Sequence, residues 1–284
     1  MEELIWIDGQ VMPLEAARVG VEDRGFQFAD GVYEVIRVYG GRAFLLPEHL
    51  DRLARSAGGI RLEVPMETGP LASAVEDLIA RGRLDCGMVY LQLTRGRAPR
   101  NHVFPRARPT LLFYLRELPP PPPTGGEAVR LLSVADERWR NCWIKSIALL
   151  PNVLAKNRAV EAGCDEAVFI EEGRVSECSA SNFFAVAKGT LITAPAGEKV
   201  LGGITRAAIL EEARRLGVKV EERSPGEAEA RAADELFIAS TTREISHVVG
   251  WDGKPAGGGR CGPLTRRLHK SLRRRIESAQ ARRR

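Results

Sequence analysis

Residues Asn141–Phe184 read NCWIKSIALLPNVLAKNRAVEAGCDEAVFIEEGRVSECSASNFF, and the remainder of the chain is organised around them. The stretch opens on Lys145, set among Trp143, Ile144 and Ile147. A lysine lodged in apolar surroundings is driven toward its neutral, nucleophilic form, because desolvation penalises the ammonium. Leu150, Val153, Leu154 and Val160 then recur at helical spacing, and Gly163 stops the run. Glu166–Glu171 has the pattern of a strand, Glu172-Gly173 of a tight turn, and 174–176 of the returning strand. That hairpin delivers Glu177, followed by Ser179, Ser181 and Asn182. A lysine and a carboxylate joined by a helix and a hairpin can face one ligand from opposite ends.

Working upstream, Leu4–Ile7 and Gln10–Met12 flank Asp8-Gly9, a hairpin signature. A strand over Val32–Tyr39 turns at Gly40-Gly41 and returns over Arg42–Leu46. Alternation puts Tyr33, Val35 and Arg37 on one face, either as a pocket wall or as a half-buried edge. Pro47 opens a helix whose buried stripe is Leu50, Leu53, Ala54 and Ala57. At about 100° per residue, Arg52 points away from that stripe, as a solvated arginine would. A second amphipathic helix covers 70–83, and strands follow over Val89–Thr94 and Thr110–Leu115, separated by the polar run TRGRAPRNH. Pro119–Pro123 then form a stiff linker, which divides the chain into a small N-terminal domain (1–118) and a larger C-terminal domain (124–284).

Downstream, a strand over Val129–Val134 leads toward Lys145, and Phe183–Val186 pairs with Thr190–Thr193 around Lys188-Gly189. A helix begins near Ile204 after Gly202-Gly203, with Ile209, Leu210 and Leu216 turned inward. Its N-terminus favours an anion through backbone amides and the helix dipole, while Thr205 alternatively caps it. A buried strand over Asp234–Ala239 ends at Ser240-Thr241-Thr242, whose hydroxyls and amides can hold a phosphate or simply make a turn.

These pieces, Lys145, Glu177 within ECSASN, Gly203-Ile204-Thr205-Arg206 and Ser240-Thr241-Thr242, occur in an order that resembles the fold-type-IV pyridoxal-phosphate enzymes. That group contains branched-chain aminotransferases, D-amino-acid aminotransferases and aminodeoxychorismate lyases. The resemblance extends from about Trp6 to about Leu268 and implies a two-domain α/β (α+β) fold with pyridoxal 5′-phosphate between the domains, as a homodimer. It implies that Lys145 forms the Schiff base and shuttles the substrate's α-proton, and that Glu177 pairs with the pyridine nitrogen. By the same resemblance HLDRL makes Arg52 a phosphate ligand together with Ile204, Thr205, Ser240 and Thr241. Leu201 packs against the ring. Arg100 and His102 in TRGRAPRNH, with Tyr33 in GVYEVIRVY and the run WIKSI, resemble the D-amino-acid subgroup and imply a grip on the substrate carboxylate. Arg37 and Thr242 are weaker substrate-side candidates. The function so implied is transamination between a D-amino acid, of the D-alanine or D-glutamate kind, and a 2-oxo acid. Branched-chain L-amino-acid transamination and aminodeoxychorismate cleavage are the alternatives within the group.

Composition is consistent with a soluble enzyme: 284 residues, 44% hydrophobic and 28% charged, suit two modest domains with real cores. No apolar run approaches the ~20 residues of a membrane helix, and MEELIWIDGQ lacks a signal-peptide pattern, so the expected location is the cytoplasm. Five cysteines without CxxC spacing argue against a disulfide framework or a zinc site. Cys142 and Cys178 neighbour site candidates and read as apolar filler. Of the net charge of +5, the segment 260–284 carries +9, leaving the remainder at −4. The basic excess therefore belongs to a C-terminal helix with Leu264, Leu268, Leu272 and Ile276 as its apolar stripe and to an Arg282–Arg284 end expected to be disordered, not to a nucleic-acid-binding face. A nucleic-acid-associated protein on a degenerate scaffold is the rival from another class, and an intact Lys145 and Glu177 count against it.

Overall fold

In the computed structural model, residues 1–120 and 125–281 are described; Pro121–Pro123 of the expected linker and the Arg282–Arg284 end lie outside them. Close contacts divide the chain into two units: Met1–Pro120 with Ile144–Ala148 and Ala279–Arg284, and Pro121–Trp143 with Leu149–Ser278. The division is interleaved, because the five residues around Lys145 belong with the first unit.

In chain order the first unit comprises β1 (Leu4–Ile7), β2 (Gln10–Pro13), α1 (Arg24–Phe28), β3 (Gly31–Tyr39), β4 (Arg42–Ala43), α2 (Leu46–Gly59), α3 (Thr68–Arg81), β5 (Gly87–Thr94) and β6 (Thr110–Glu117). Among the described residues its strands form one antiparallel sheet in the order β2-β1-β6-β5-β3-β4. Alternation decides the layers. Val32, Ile36 and Val38 of β3, Val89, Leu91 and Leu93 of β5, and Leu111, Phe113 and Leu115 of β6 share the face that α2 and α3 cover with Leu50, Leu53, Leu71 and Val75. Glu34 lies on that apolar face too, fully buried. The opposite face carries Tyr33, Tyr90 and Tyr114, with ring centroids 5.8 and 5.1 Å apart along the row. The expected return strand over Arg42–Leu46 is only two residues long, because Leu45 turns left-handed (φ 54°) and α2 starts at Leu46.

The second unit comprises β7 (Ala128–Ala135), α4 (Leu150–Glu161), β8 (Glu166–Glu171), β9 (Arg174–Cys178), β10 (Asn182–Ala187), β11 (Thr190–Thr193), α5 (Ile204–Arg215), β12 (Val220–Glu222), α6 (Glu227–Arg231), β13 (Glu235–Ser240), β14 (Glu244–Trp251), β15 (Lys254–Pro255) and most of α7 (Pro263–Ala281). Its mixed sheet runs β12-β11-β10-β13-β14-β7-β8-β9, with β15 on β14. The β8–β9 turn has Glu172 and Gly173 both at positive φ (49° and 69°), the conformation that fits the twist of a two-residue hairpin. Phe183, Leu236, Ile238, Val248 and Trp251 centre the core. On α7 the expected stripe is confirmed, with Leu268, Leu272 and Ile276 buried. Glu235 fixes the start of that helix by accepting from the Leu264 and Thr265 amides at 2.9 and 2.7 Å.

The apolar face expected on α4 is turned outward. Leu150, Val153, Leu154 and Val160 are 67, 50, 49 and 57% exposed, and the small residues Ala155 and Ala159 face Val134, Ala167 and Phe169 instead. Alanines let the helix sit close on the sheet, which leaves its larger side chains outside. Among the described residues, no helix is long and apolar enough to cross a membrane.

Candidate active site

Lys145 is placed by its backbone. Its N–H donates to Ser56 Oγ on α2 at 3.1 Å, its carbonyl accepts from the Tyr33 amide at 2.9 Å, and the Ile147 amide donates to the Gly31 carbonyl at 3.1 Å. The segment is thus a short antiparallel addition to the start of β3, bridged at Val32 and Ser146. Gly31 is required there, since a Cβ would come within 2.6 Å of the Leu93 carbonyl and 3.0 Å of the Ile147 side chain. The half-buried Lys145 side chain carries its Nζ 4.2 Å from the centroid of the Tyr33 ring, so two expected site residues meet.

Arg52 departs from its expected direction. It is 4% exposed, and its guanidinium makes a fork on Glu34, Nε to Oε1 and Nη2 to Oε2, both at 2.7 Å. His49 Nδ1 donates to the same carboxylate at 2.7 Å. The helical-wheel argument failed because it counted Arg52 as solvated, whereas a carboxylate buried on β3 draws it inward. Burial alone would push the Glu34 carboxyl up, but the charge and hydrogen bonds of Arg52, with His49, outweigh it and hold it at about 2. Burial lowers the His49 imidazole more than the Glu34 carboxylate raises it.

Arg37 is also buried, and its Nη2 donates to the Pro119 carbonyl at 2.7 Å near Cys86. It shares strand parity with Tyr33, but its charged end is occupied at the far end of β3. Arg100 and His102 are exposed and pack on α1. The Arg100 guanidinium lies 4.3 Å from the Phe28 ring centroid, and the His102 ring lies 5.4 Å from the same ring. Among the described residues no hydrogen bond or ring contact joins them to Tyr33.

In the second unit, β9 presents Glu177, 6% exposed, to a ring of donors. Arg138 Nη1 donates to Oε1 at 2.5 Å, Asn182 Nδ2 to Oε2 at 3.0 Å, and the Leu201 amide to both oxygens at 3.2 Å. Arg138 is itself gripped by Asp136, Nε to Oδ1 at 2.9 Å and Nη2 to Oδ2 at 2.8 Å. Burial pushes the Glu177 carboxyl up to about 7 against the pull of Arg138. The arginine moves the other way and is held in its charged form by the same contacts. Both directions have one cause: the desolvated carboxylate is costly, and the guanidinium beside it is what makes it tolerable. Arg138 and Asp136 escaped the sequence reading, where two charges at i and i+2 after a strand carry no mark of burial.

Gly203 is the N-cap residue of α5, without a side-chain cap, so Thr205 does not cap this helix. The first helical hydrogen bond is that from the Ala207 amide to the Gly203 carbonyl, which puts Ile204 and Thr205 in the turn whose amides point out of the helix. A Cβ at Gly203 would meet Asn182 Oδ1 at 2.1 Å, so the glycine at the helix start and the amide on Glu177 constrain each other. Leu201 is half-buried beside Glu177. Ser240 and Thr241 are half-buried in the turn after β13, where Ser240 Oγ accepts from the Arg243 amide at 3.4 Å, and Thr242 is exposed. The neighbouring thiols are poor nucleophiles, since burial pushes Cys142 to about 11 and raises Cys178 as well.

The donor set fits pyridoxal 5′-phosphate: an amine on an aromatic face, a buried carboxylate for a protonated ring nitrogen, and an uncapped helix N-terminus with a buried arginine and hydroxyls for a phosphate. The model for the family described as amino-transferase class IV matches residues 31–251. The chain is 41% identical over 269 residues to a D-alanine aminotransferase of Listeria monocytogenes, covering 93% of each protein. With the D-alanine aminotransferase of Bacillus licheniformis the identity is 37%, covering 98% of each. Among solved structures, the branched-chain aminotransferase of the archaeon Thermoproteus uzoniensis with norvaline superposes with a TM-score of 0.88 at 28% identity, over 96% of this chain and 94% of that one. A bacterial-type branched-chain amino acid aminotransferase complexed with N-(5′-phosphopyridoxyl)-L-glutamate gives a TM-score of 0.85, also at 28% identity, over 95% of this chain and 93% of that one. A family match of that extent, on a chain whose lysine and carboxylate are held in this way, makes the protein a member of the class IV aminotransferases.

Proposed function

We propose that the protein transfers an amino group between a D-amino acid, of the D-alanine or D-glutamate kind, and a 2-oxo acid, with pyridoxal 5′-phosphate as cofactor. The observation that carries the reading is Lys145, locked by its backbone to β3 with its Nζ on the Tyr33 ring. When bound, the cofactor supplies an electron sink conjugated to the substrate's α-carbon. Lys145 anchors it and afterwards takes and returns the α-proton at Nζ. Glu177, oriented by Arg138, Asn182 and Leu201, holds the proton on the ring nitrogen. Arg52, fixed by Glu34, binds the phosphate with the amides of Ile204 and Thr205 and the hydroxyls of Ser240 and Thr241. Leu201 packs on the ring, and Thr242 faces the substrate side. Arg37 has no part in this reading, because its guanidinium is committed to Pro119.

Tyr33, Arg100 and His102 bind the substrate carboxylate, and that placement sets which enantiomer turns its α-hydrogen toward Lys145. Arg100 and His102 are exposed and, among the described residues, share no hydrogen bond or ring contact with Tyr33, which supports their serving the site of a second copy. The outward apolar face of α4 supports a homodimer as well, since a monomer seldom exposes such a patch. The solved relative with an L-glutamate adduct favours an L-amino-acid reading at 28% identity. Similarity to D-alanine aminotransferases at 41% and the Arg100–His102 pair favour the D reading. Mixing the holoenzyme with D-alanine should bleach the absorption band of the lysine-bound cofactor, and L-leucine or L-glutamate should leave it. Faster bleaching by either L-amino acid overturns the assignment.

A further inference from the structure

Arg24 lies outside every role above, yet it is 3% exposed and reaches the loop that carries Arg100 and His102. Its Nε donates to Asp30 Oδ2 at 2.8 Å, and its Nη1 donates to the carbonyl of Asn101, the residue between Arg100 and His102. Its guanidinium carbon lies 4.7 Å from the Phe28 ring centroid, the same ring that meets the Arg100 guanidinium and the His102 imidazole. The anchor is rigid. Arg95 Nε shares Asp30 Oδ2 at 2.8 Å, and its other nitrogens donate to the Ile60 and Arg61 carbonyls at 2.7 and 3.0 Å. The Arg24 amide donates to the Gly96 carbonyl at 2.9 Å, and Asp23 caps α1 while accepting from Thr94 and Thr110 at 2.9 and 2.8 Å.

We propose that Arg24, with Phe28 as its shelf, is a positioning residue that fixes the direction in which Arg100 and His102 meet the substrate carboxylate. The inference rests on the carboxylate reading given under the proposed function. An exposed loop has many conformations, and a two-pronged grip on a carboxylate tolerates few of them. Arg24 holds the main chain between the two gripping residues, so releasing it spreads both side chains without removing either.

The test is steady-state kinetics of the holoenzyme with D-alanine and D-glutamate, inhibition by propionate, and amide hydrogen exchange, for Arg24→Ala, Arg24→Lys, Phe28→Leu and the control Arg100→Ala. Arg24→Ala should raise KM for both amino acids and Ki for propionate together, on the order of tenfold to a hundredfold, with kcat within about threefold of wild type. Arg24→Lys keeps the charge but cannot serve Asp30 and Asn101 at once, so its KM should fall between. Amides of 97–104 should exchange faster in Arg24→Ala while those of α2 do not change. If Arg100→Ala raises KM and Arg24→Ala does not, the positioning role is wrong. If Arg100→Ala leaves KM unchanged, the carboxylate reading itself fails. Should the Arg24 variants not fold, Phe28→Leu decides, because it spares the buried charges: a raised KM with kcat retained supports the inference, and unchanged KM overturns it.

Discussion

Glu34→Gln probes the buried fork that holds Arg52. In the wild type both carboxylate oxygens are used, by Arg52 Nε and Nη2 and by His49 Nδ1, all at 2.7 Å, and the Glu34 side chain has no exposed surface. Glutamine keeps the shape but loses the charge and one acceptor, leaving a guanidinium buried without its countercharge. Breaking a buried pair from one side costs about 3–5 kcal/mol. The titration leads to a similar magnitude: a carboxyl lowered from 4.5 to about 2 on folding is worth about 3 kcal/mol at pH 7. Because the folded value is depressed, that stability is fully present above pH 4.5 and is lost as pH falls through 2. Urea unfolding of the cofactor-free protein should therefore show the variant about 3 kcal/mol weaker at pH 7, with more than half of the gap gone by about pH 3. A gap under about 1 kcal/mol at pH 7, or one that does not narrow in acid, would mean that Glu34 does not balance Arg52. Freed from its fork, Arg52 should also hold the phosphate less well, so the variant should lose cofactor faster on dialysis.

Lys145→Ala should abolish multiple-turnover transamination and the absorption band of the lysine-bound cofactor; near wild-type turnover with the band retained would remove Lys145 from its role. Glu177→Gln should lower kcat by more than about a hundredfold, since an amide does not stabilise a ring-nitrogen charge as a carboxylate does. Because burial raises the folded Glu177 carboxyl from 4.5 to about 7, its contribution to stability is present below pH 4.5 and lost as pH rises through 7. The melting temperature of cofactor-free wild type relative to Glu177→Gln should accordingly fall over that window, and a rise would contradict the shift. Arg100→Ala should raise KM for every amino acid by roughly 10- to 150-fold, the kinetic equivalent of ~1.5–3 kcal/mol for a lost charged hydrogen bond. Val153→Arg places a cation on the exposed apolar face of α4 and should yield an inactive monomer in sedimentation; an active dimer would locate the interface elsewhere.

Local chemistry was legible in the amino-acid sequence. Alternation along β3, β5 and β6, the Glu172-Gly173 turn and the leucine stripe of α7 depend on residues a few positions apart, and each formed where it was expected. Lys145 and Glu177 stood out because their neighbours in sequence resemble a family, and the match over residues 31–251 bears out that family. What the sequence could not decide is where polar and apolar groups go when their partner is remote. Arg52 turned inward because Glu34 is buried 18 positions upstream, and Arg138 met Glu177 across 39 positions. The apolar side of α4 turned outward because Ala155 and Ala159 allow the closer approach to the sheet. The residues around Lys145 joined the first unit through main-chain hydrogen bonds to β3, more than a hundred positions away. Hydrophobic periodicity assumes that charge faces water; a buried counter-ion or a backbone ladder reverses that assumption, and only the tertiary structure brings either within reach.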